Sequence, residues 1–305
     1  EPVRTVYRGH EDISMGPPSS GGVAMIQMLN MLSAYDVAEF GFGSSDYIHL
    51  LTEVMRRAYA DRGRWLGDPD FYGVPVEGLI SEAYARERGR TVDLERVSEL
   101  GPGVPPGAPE SDDTTHFSII DRDGNAVSCT TTINSTFGSC CVADGCGFFL
   151  NNEMDDFVAA PGVPNAYGLI GNASNAVAPG KRPLSSMSPT IVLDAEGQVV
   201  MVAGASGGSH IISSTLQVIL SVLEFGMDPQ EAIDAPRMFF DETTHVLQAE
   251  RSVPAETLSV LRGLGHEIVE APGPIGGAQA ILIDRENGTL VGGSDPRKDG
   301  MAAGY

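Results

Sequence analysis

At 305 residues, 42% of them hydrophobic, the chain can bury a large core as one sizeable domain or two. Its 19 Lys plus Arg stand against 41 Asp plus Glu, a net charge of -22 that repels phosphate backbones and argues against nucleic-acid binding. No run approaches the roughly 20 uninterrupted apolar residues of a membrane-spanning helix. The chain begins at Glu1 without a Met or a signal-like segment, and reads as the C-terminal part of a longer precursor. Residues 23–40 carry Met25, Met28, Leu29, Leu32 and Ala34 at helical spacing. Residues 46–62 repeat the pattern with Ile48, Leu51, Met55, Ala58 and Tyr59. From Gly101 to Pro109 all periodicity stops, and Glu110-Ser111-Asp112-Asp113 ends what reads as an exposed linker of the kind where chains are nicked.

Beyond that linker the pattern changes to strand pairs. Phe117–Ile120 and Ala126–Ile133 flank an Asp-Gly turn, as do Thr190–Leu193 and Val199–Val202 with their Glu-Gly turn. Ala280–Ile283 and Thr289–Gly292 flank Asn287-Gly288. Such dipeptides supply the positive φ of tight hairpin turns. Helices at 209–225, 229–235 and 254–263 punctuate the hairpins. Antiparallel hairpins with helices laid on them predict a layered α+β architecture.

Three features point away from metal chemistry. Asp121, Asp123 and Asn125 mimic the opening of a calcium loop, but glycine falls at the fourth place and Thr132 stands where a bidentate Glu is needed. The six histidines form no HExxH pair. Cys129, Cys140, Cys141 and Cys146 lack the second ligand pair of a zinc site. A local disulfide from Cys146 to Cys140 or Cys141, or free buried thiols, are both compatible with the spacing.

The stretch Asp112-Asp113-Thr114-Thr115-His116 leads from the linker straight into an apolar strand. A cut before Thr114 would give that threonine a hydroxyl nucleophile and an α-amine base of pKa near ~8 within reach of it. Taken by itself, Thr114 is equally a good β former.

The wider sequence resembles the γ-glutamyltranspeptidases of the N-terminal nucleophile hydrolase superfamily. The likeness rests on ordered motifs: Gly16-Pro17-Pro18-Ser19-Ser20-Gly21-Gly22, Tyr59-Ala60-Asp61-Arg62, Leu66-Gly67-Asp68-Pro69-Asp70-Phe71, and Thr114-Thr115-His116-Phe117-Ser118. It continues through Asp123-Gly124-Asn125-Ala126-Val127, Asn151-Asn152-Glu153-Met154-Asp155-Asp156-Phe157, Lys181-Arg182-Pro183-Leu184-Ser185-Ser186, Gly207-Gly208-Ser209 and Ala303-Gly304-Tyr305. The resemblance implies a four-layer αββα sandwich of two stacked antiparallel sheets. It also implies self-cleavage between Asp113 and Thr114, with 1–113 the end of a large subunit and 114–305 the whole small subunit, together one αββα domain.

Roles follow by position in the resemblance. Thr114 would be the nucleophile, Thr132 its hydrogen-bonding partner, and Gly207 with Gly208 the oxyanion hole. Asn134, Glu153 and Asp156 would hold a substrate α-ammonium, the Ser185 and Ser186 hydroxyls its α-carboxylate, and Tyr167 would cover the bound group from a lid loop. A clamp arginine of the family falls upstream of Glu1. The implied activity is γ-glutamyl transfer from glutathione and other γ-glutamyl compounds to water, amino acids or dipeptides, with no cofactor. The partner would be the large-subunit remainder, and the location periplasmic or secreted. Two rivals are an acylase of glutaryl amides and an uncut, non-catalytic scaffold.

Overall fold

The chain opens with a hairpin that carries no Asn-Gly or Asp-Gly signal. In the computed structural model, which describes residues 1–100, 114–158, 173–242 and 244–304, β1 (Val3–Tyr7) pairs antiparallel with β2 (His10–Ser14). Arg8 and Gly9 turn it with φ of 50° and 81°, the two positive values that a two-residue turn of matching twist requires.

The helical expectation at 23–40 divides in two. Helix α1 (Gly21–Leu32) ends early and α2 (Val37–Phe40) is a single turn. Between them the Arg8 guanidinium takes the Tyr35 carbonyl at 2.5 Å, outside any helical ladder. Helix α3 (Ser45–Trp65) is capped by Ser44, whose hydroxyl accepts from the Tyr47 N–H at 3.1 Å. It buries all five apolar positions read from its sequence. Two short helices, α4 (Val76–Leu79) and α5 (Glu82–Gly89), follow unforeseen.

Strands β3 (Thr114–Ile120) and β4 (Ala126–Thr132) form the hairpin expected at the linker's end. At its turn the Asp121 carboxylate accepts from the N–H groups of Asp123 and Asn125, both at 2.9 Å, so this is a side-chain-stabilised turn. Then come β5 (Thr190–Leu193), β6 (Val199–Ser206), α6 (His210–Phe225) and α7 (Pro229–Asp234), whose start is set by an Asp228/Glu231 capping box. The chain continues through β7 (Met238–Asp241), β8 (Val246–Ala249), α8 (Ala255–Gly263), β9 (Ile268–Glu270), β10 (Gly277–Asp284) and β11 (Thr289–Ser294).

The main sheet runs β1-β2-β5-β6-β10-β11, so strands from both sides of Thr114 share one antiparallel sheet. The hairpins do not account for every pairing: β8 and β9 run parallel in a separate sheet with β7. Helix α8 lies between them and provides the crossover that a parallel pair needs.

Helices α1 and α6 pack on the main sheet, and the β3–β4 hairpin stacks against β6 and β10. Period-2 alternation divides the hairpin. His116 turns inward and is buried, while Phe117, Ile119 and Val127 are exposed on the other face. His116 sits so closely over Gly204 of β6 that any Cβ there would collide with its ring. Burial holds that imidazole neutral, its pKa pushed down to about 4. The result is α+β with two stacked sheets. The described residues supply three of the four expected layers, a helical layer and both sheets, and leave the hairpin's outer face open.

One buried group works against the fold at neutral pH. Asp12 of β2 is fully buried, and neither carboxylate oxygen has a hydrogen-bond partner among the described residues. Burial pushes its pKa up to about 7. The folded state therefore binds a proton that the unfolded chain releases near pH 4. The stability this proton supplies is complete below that and is lost as pH rises through about 7. The gap in unfolding free energy between Asp12→Asn and wild type should shift in the variant's favour by about 4 kcal/mol from pH 4 to pH 8. Urea titrations at the two pH values measure this, and a gap independent of pH would refute the buried-acid reading.

Candidate active site

Thr114 opens β3 directly opposite Thr132, the last residue of β4. Both lie on the inward face of the hairpin, in register with His116 and Thr130. The Thr132 Oγ1 accepts the Asn134 N–H at 2.8 Å, which Asn134 reaches by adopting φ 74°, a left-handed conformation that Asn tolerates. The Asn134 side-chain amide donates to the Asn152 carbonyl at 3.2 Å, and the Asn152 amide oxygen accepts from the Ser135 N–H at 3.0 Å. These bonds staple the end of β4 to the 3-10 turn Glu153–Asp156. Glu153 and Asp156 thus stand beside Asn134. Burial raises the pKa of the Glu153 carboxyl, and its bond to Asp156 opposes that rise.

Ser185 and Ser186 reach the same neighbourhood through a residue the sequence did not flag. Asn175 donates its side-chain amide to the Asp156 carbonyl at 2.8 Å and accepts the Leu184 N–H at 3.0 Å. The serine turn is seated on the start of α1, with the Ser20 N–H and hydroxyl both directed at the Ser185 carbonyl, at 2.7 and 2.6 Å. The neighbouring Asp68 carboxylate takes Arg182 at 2.6 and 3.0 Å, and that guanidinium holds it well below the usual carboxylate range. The Leu66-Gly67-Asp68 motif therefore clamps the approach to the serines.

Gly207 and Gly208 join β6 to α6 with φ of 120° and 54°. A Cβ on Gly207 would come within 2.9 Å of the Gly276 Cα, so only glycine fits. The turn stands at the positive end of a helix of 16 residues, where N–H groups suit an anion. Tyr59 of α3 fixes it by donating to the Ser209 carbonyl at 3.1 Å.

An open cleft of about 610 Å³ lies at the head of the hairpin, lined among others by Thr114, Thr132, Ser135, Thr136, Lys298 and Asp299. Lys298 is one of two lysines in the chain. Its stem lies over Gly277, where a Cβ would meet its Cδ at 2.9 Å. Gly277 pairs with Ser206, immediately before the Gly207 turn. Lys298 thus spans from the glycine turn to the threonines, and nothing in the sequence announced it.

Asp113 and Tyr167 lie outside the described residues. The cysteines depart from both sequence expectations: Cys129 is half-buried, the other three are exposed, and all four are free. Residues 141–150 fold back with Val142 bridging Phe149, which places Cys146 in the turn and Cys140 and Cys141 at the open end of the fold-back. Among the described residues no three His, Cys, Asp or Glu side chains converge as a metal site.

The family model described as gamma-glutamyltranspeptidase matches residues 1–305, the whole chain. The chain belongs to the γ-glutamyltranspeptidase family. It is 44% identical to the glutathione hydrolase proenzyme of Escherichia coli K12, over all of this chain and 52% of that one. Among solved structures it resembles a cephalosporin acylase from Bacillus halodurans, with TM-score 0.85 and 28% identity over all of this chain and 53% of the other. It also resembles the T380A mutant of the Helicobacter pylori gamma-glutamyltranspeptidase, with TM-score 0.57 and 46% identity over 60% of this chain and all of that one. The chain spans about half the length of the curated relatives it matches. Of the motifs that define the resemblance to the γ-glutamyltranspeptidase family, the one at Thr114 lines the cleft, and Asp68 is paired with Arg182 beside the serine turn.

Proposed function

We propose that the full-length protein is a γ-glutamyltransferase and glutathione hydrolase that matures by cutting itself before Thr114. The observation that carries this reading is Thr114 at the head of β3, opposite Thr132 and lining an open cleft. Residues 1–113 would then close the large subunit and 114–305 form the small one. The remainder of the large subunit is the natural cover for the exposed Phe117, Ile119 and Val127 on the hairpin's outer face.

In maturation the Thr114 hydroxyl attacks the Asp113 carbonyl, and water opens the resulting ester. In turnover the same oxygen attacks the γ-amide carbon of glutathione. The freed α-amine takes the hydroxyl proton and returns it to the leaving amine. The Gly207 and Gly208 N–H groups face the developing oxyanion, and Thr132 orients the nucleophile. Asn134, Glu153 and Asp156 hold the α-ammonium, Ser185 and Ser186 the α-carboxylate, and Tyr167 closes over the bound group. Water or an amino-acid or dipeptide amine then resolves the γ-glutamyl ester without a cofactor. No helix among the described residues is long and apolar enough to cross a membrane. The proposed location, periplasmic or secreted, rests on the resemblance.

The likeness to a cephalosporin acylase keeps a glutaryl-amide hydrolase as the second reading. A glutaryl group lacks the α-ammonium, so the carboxylates beside Asn134 favour the γ-glutamyl substrate. Release of nitroaniline from γ-glutamyl and glutaryl p-nitroanilides, with and without glycylglycine, tests the choice. Acceleration by glycylglycine on the γ-glutamyl compound is the expected result, and turnover of the glutaryl compound alone would overturn it. Asp156→Ala should cost about 10- to 100-fold in kcat/KM on the γ-glutamyl compound, the loss of one charged hydrogen bond. Any residual glutaryl turnover should be unchanged, and an equal loss on both would refute the ammonium role.

A further inference from the structure

Two imidazoles meet in the core, one from before Thr114 and one from after it. His49 of α3 is fully buried, and His266, in the turn between α8 and β9, is 7% exposed. The His49 Nδ1 lies 2.6 Å from the His266 Nε2, and the His49 Nε2 lies 2.8 Å from the Asp93 carbonyl oxygen. We propose that this pair is an acid-sensitive clasp, which in its neutral form pins residues 91–98 between α3 and the α8–β9 turn and which releases them when it takes up a proton. The clasp is separate from the chemistry at Thr114 and joins the two parts whether or not the chain is cut.

A carbonyl only accepts, so the His49 Nε2 carries a hydrogen. In the neutral ring the Nδ1 is then an acceptor, and the His266 Nε2–H must donate to it. The rings cross at 72° with centroids 4.9 Å apart. One donor chain therefore runs from His266 through His49 to the backbone of residue 93. Further bonds tie the same segment on both sides. The Val97 N–H donates to the Leu264 carbonyl at the end of α8 at 2.8 Å. From α3, Arg56 donates to the Ser98 carbonyl at 3.0 Å and Arg57 to the Thr91 carbonyl at 2.5 Å.

A proton added to the pair meets cations. Glu53 favours a charged His266, while His49 and Arg56 oppose it. The Glu53 carboxylate is already taken by Arg56 at 2.5 Å and by Arg57 at 2.8 Å. An imidazolium would thus be a third cation beside that carboxylate, in a site with little water to screen it. The surrounding elements do not offset this. The Asp93 carboxylate turns to Arg96 at 2.9 Å, Glu95, Arg262 and Glu267 are exposed, and β7 contributes the Phe240 ring, 5.6 Å from the Arg56 guanidinium. Burial, and then His49 beside it, push the His266 pKa down to about 4 from its ordinary value of 6.5. A released His266 would bind a proton near 6.5, so the clasp is fully closed above that pH and weakens as the pH falls toward 4.

The test follows amide hydrogen exchange of residues 91–98 in the full-length protein at pH 7.5 and pH 5.0, corrected for intrinsic rates, beside a His49→Gln/His266→Gln double variant. Glutamine keeps a donor and an acceptor at both positions but cannot charge. In wild type the opening of this segment, read at the Val97 N–H, should rise roughly 10- to 30-fold from pH 7.5 to pH 5.0. The double variant should rise less than about threefold, and β6 should keep its protection in both proteins. An equal rise in the two proteins, or none in wild type, would overturn the clasp. So would a wild-type rise shared by β6, which would mark global unfolding rather than release of one segment. If the double variant fails to fold, His266→Gln alone decides. Its rise should stay at least about threefold below that of wild type, and a rise equal to wild type's would overturn the proposal.

Discussion

Replacing Thr114 by alanine in the full-length protein is expected to leave a single uncut chain and to lower γ-glutamyl transfer by roughly 10⁴-fold or more. No other substitution at the site should cost as much. On the proposed reading one oxygen serves both steps: it would open the Asp113–Thr114 bond and would then carry the γ-glutamyl ester. Without the cut there is also no α-amine, so nucleophile and base vanish together. Losing one oxyanion donor at the Gly207–Gly208 turn would cost only about 10²- to 10³-fold by comparison. Thr114→Ser keeps a hydroxyl and should still yield two fragments, more slowly. Intact masses under denaturing conditions, taken beside nitroaniline release, measure both effects. Two fragments from the alanine variant, meeting at residue 114, would show that another group does the cutting.

The largest loss of stability is expected from Asp295→Ala, at about 3–5 kcal/mol, the usual cost of breaking a buried ion pair from one side. Asp295 is 1% exposed. Its Oδ2 lies 2.7 Å from the buried Arg237 Nη1 and accepts the Ala278 N–H at 2.7 Å, while its Oδ1 takes Arg297 at 3.2 Å. Burial alone would raise the pKa of this carboxyl, but Arg237 and the surrounding N–H donors outweigh it and hold the group below its ordinary range. Removing it strands the Arg237 guanidinium in the core. Arg297 would survive better, since Glu250 grips it at 2.6 Å through both carboxylate oxygens. The loop so anchored carries Lys298 and Asp299 to the cleft, so lost stability should come with lost activity. Denaturant unfolding of both proteins measures the difference, and a variant within 1 kcal/mol of wild type would refute the assigned weight of the pair.

What could be read from the sequence was largely what short-range chemistry encodes. The turns at 121–125, 194–198 and 284–288 announced themselves because Asp, Asn and Gly supply the required φ locally. Helix α7 was legible over 229–235 without its Asp228/Glu231 capping box, which the structure shows. The β1–β2 turn escaped notice because Arg8 holds a positive φ that its side chain does not advertise. Strand β7 is buried at all four positions and β9 is three residues long, so neither shows alternation. Helix α5 is polar along most of its length and owes its place to packing on α1. At the site, Thr114 was legible because a linker leads straight into its strand, and Thr132 through the resemblance alone; that the two face each other is set by the hairpin register. Arg62 and Ser186 stand 124 positions apart, and Asn175 joins Asp156 to Leu184 from the end of a three-residue 3-10 turn, too short to show a pattern. Spacing carries no trace of such partnerships, which arise only when the sheet brings distant turns together.

The most direct test of the central claim is to quench the full-length protein in acid during turnover of a γ-glutamyl anilide, digest it, and weigh the peptide that begins at residue 114. The expected result is a peptide with Thr114 as its free N-terminus, part of it carrying one γ-glutamyl group in ester linkage to the threonine oxygen. An uncut chain, or a γ-glutamyl group found on any other side chain, would contradict the assignment of Thr114 as the nucleophile.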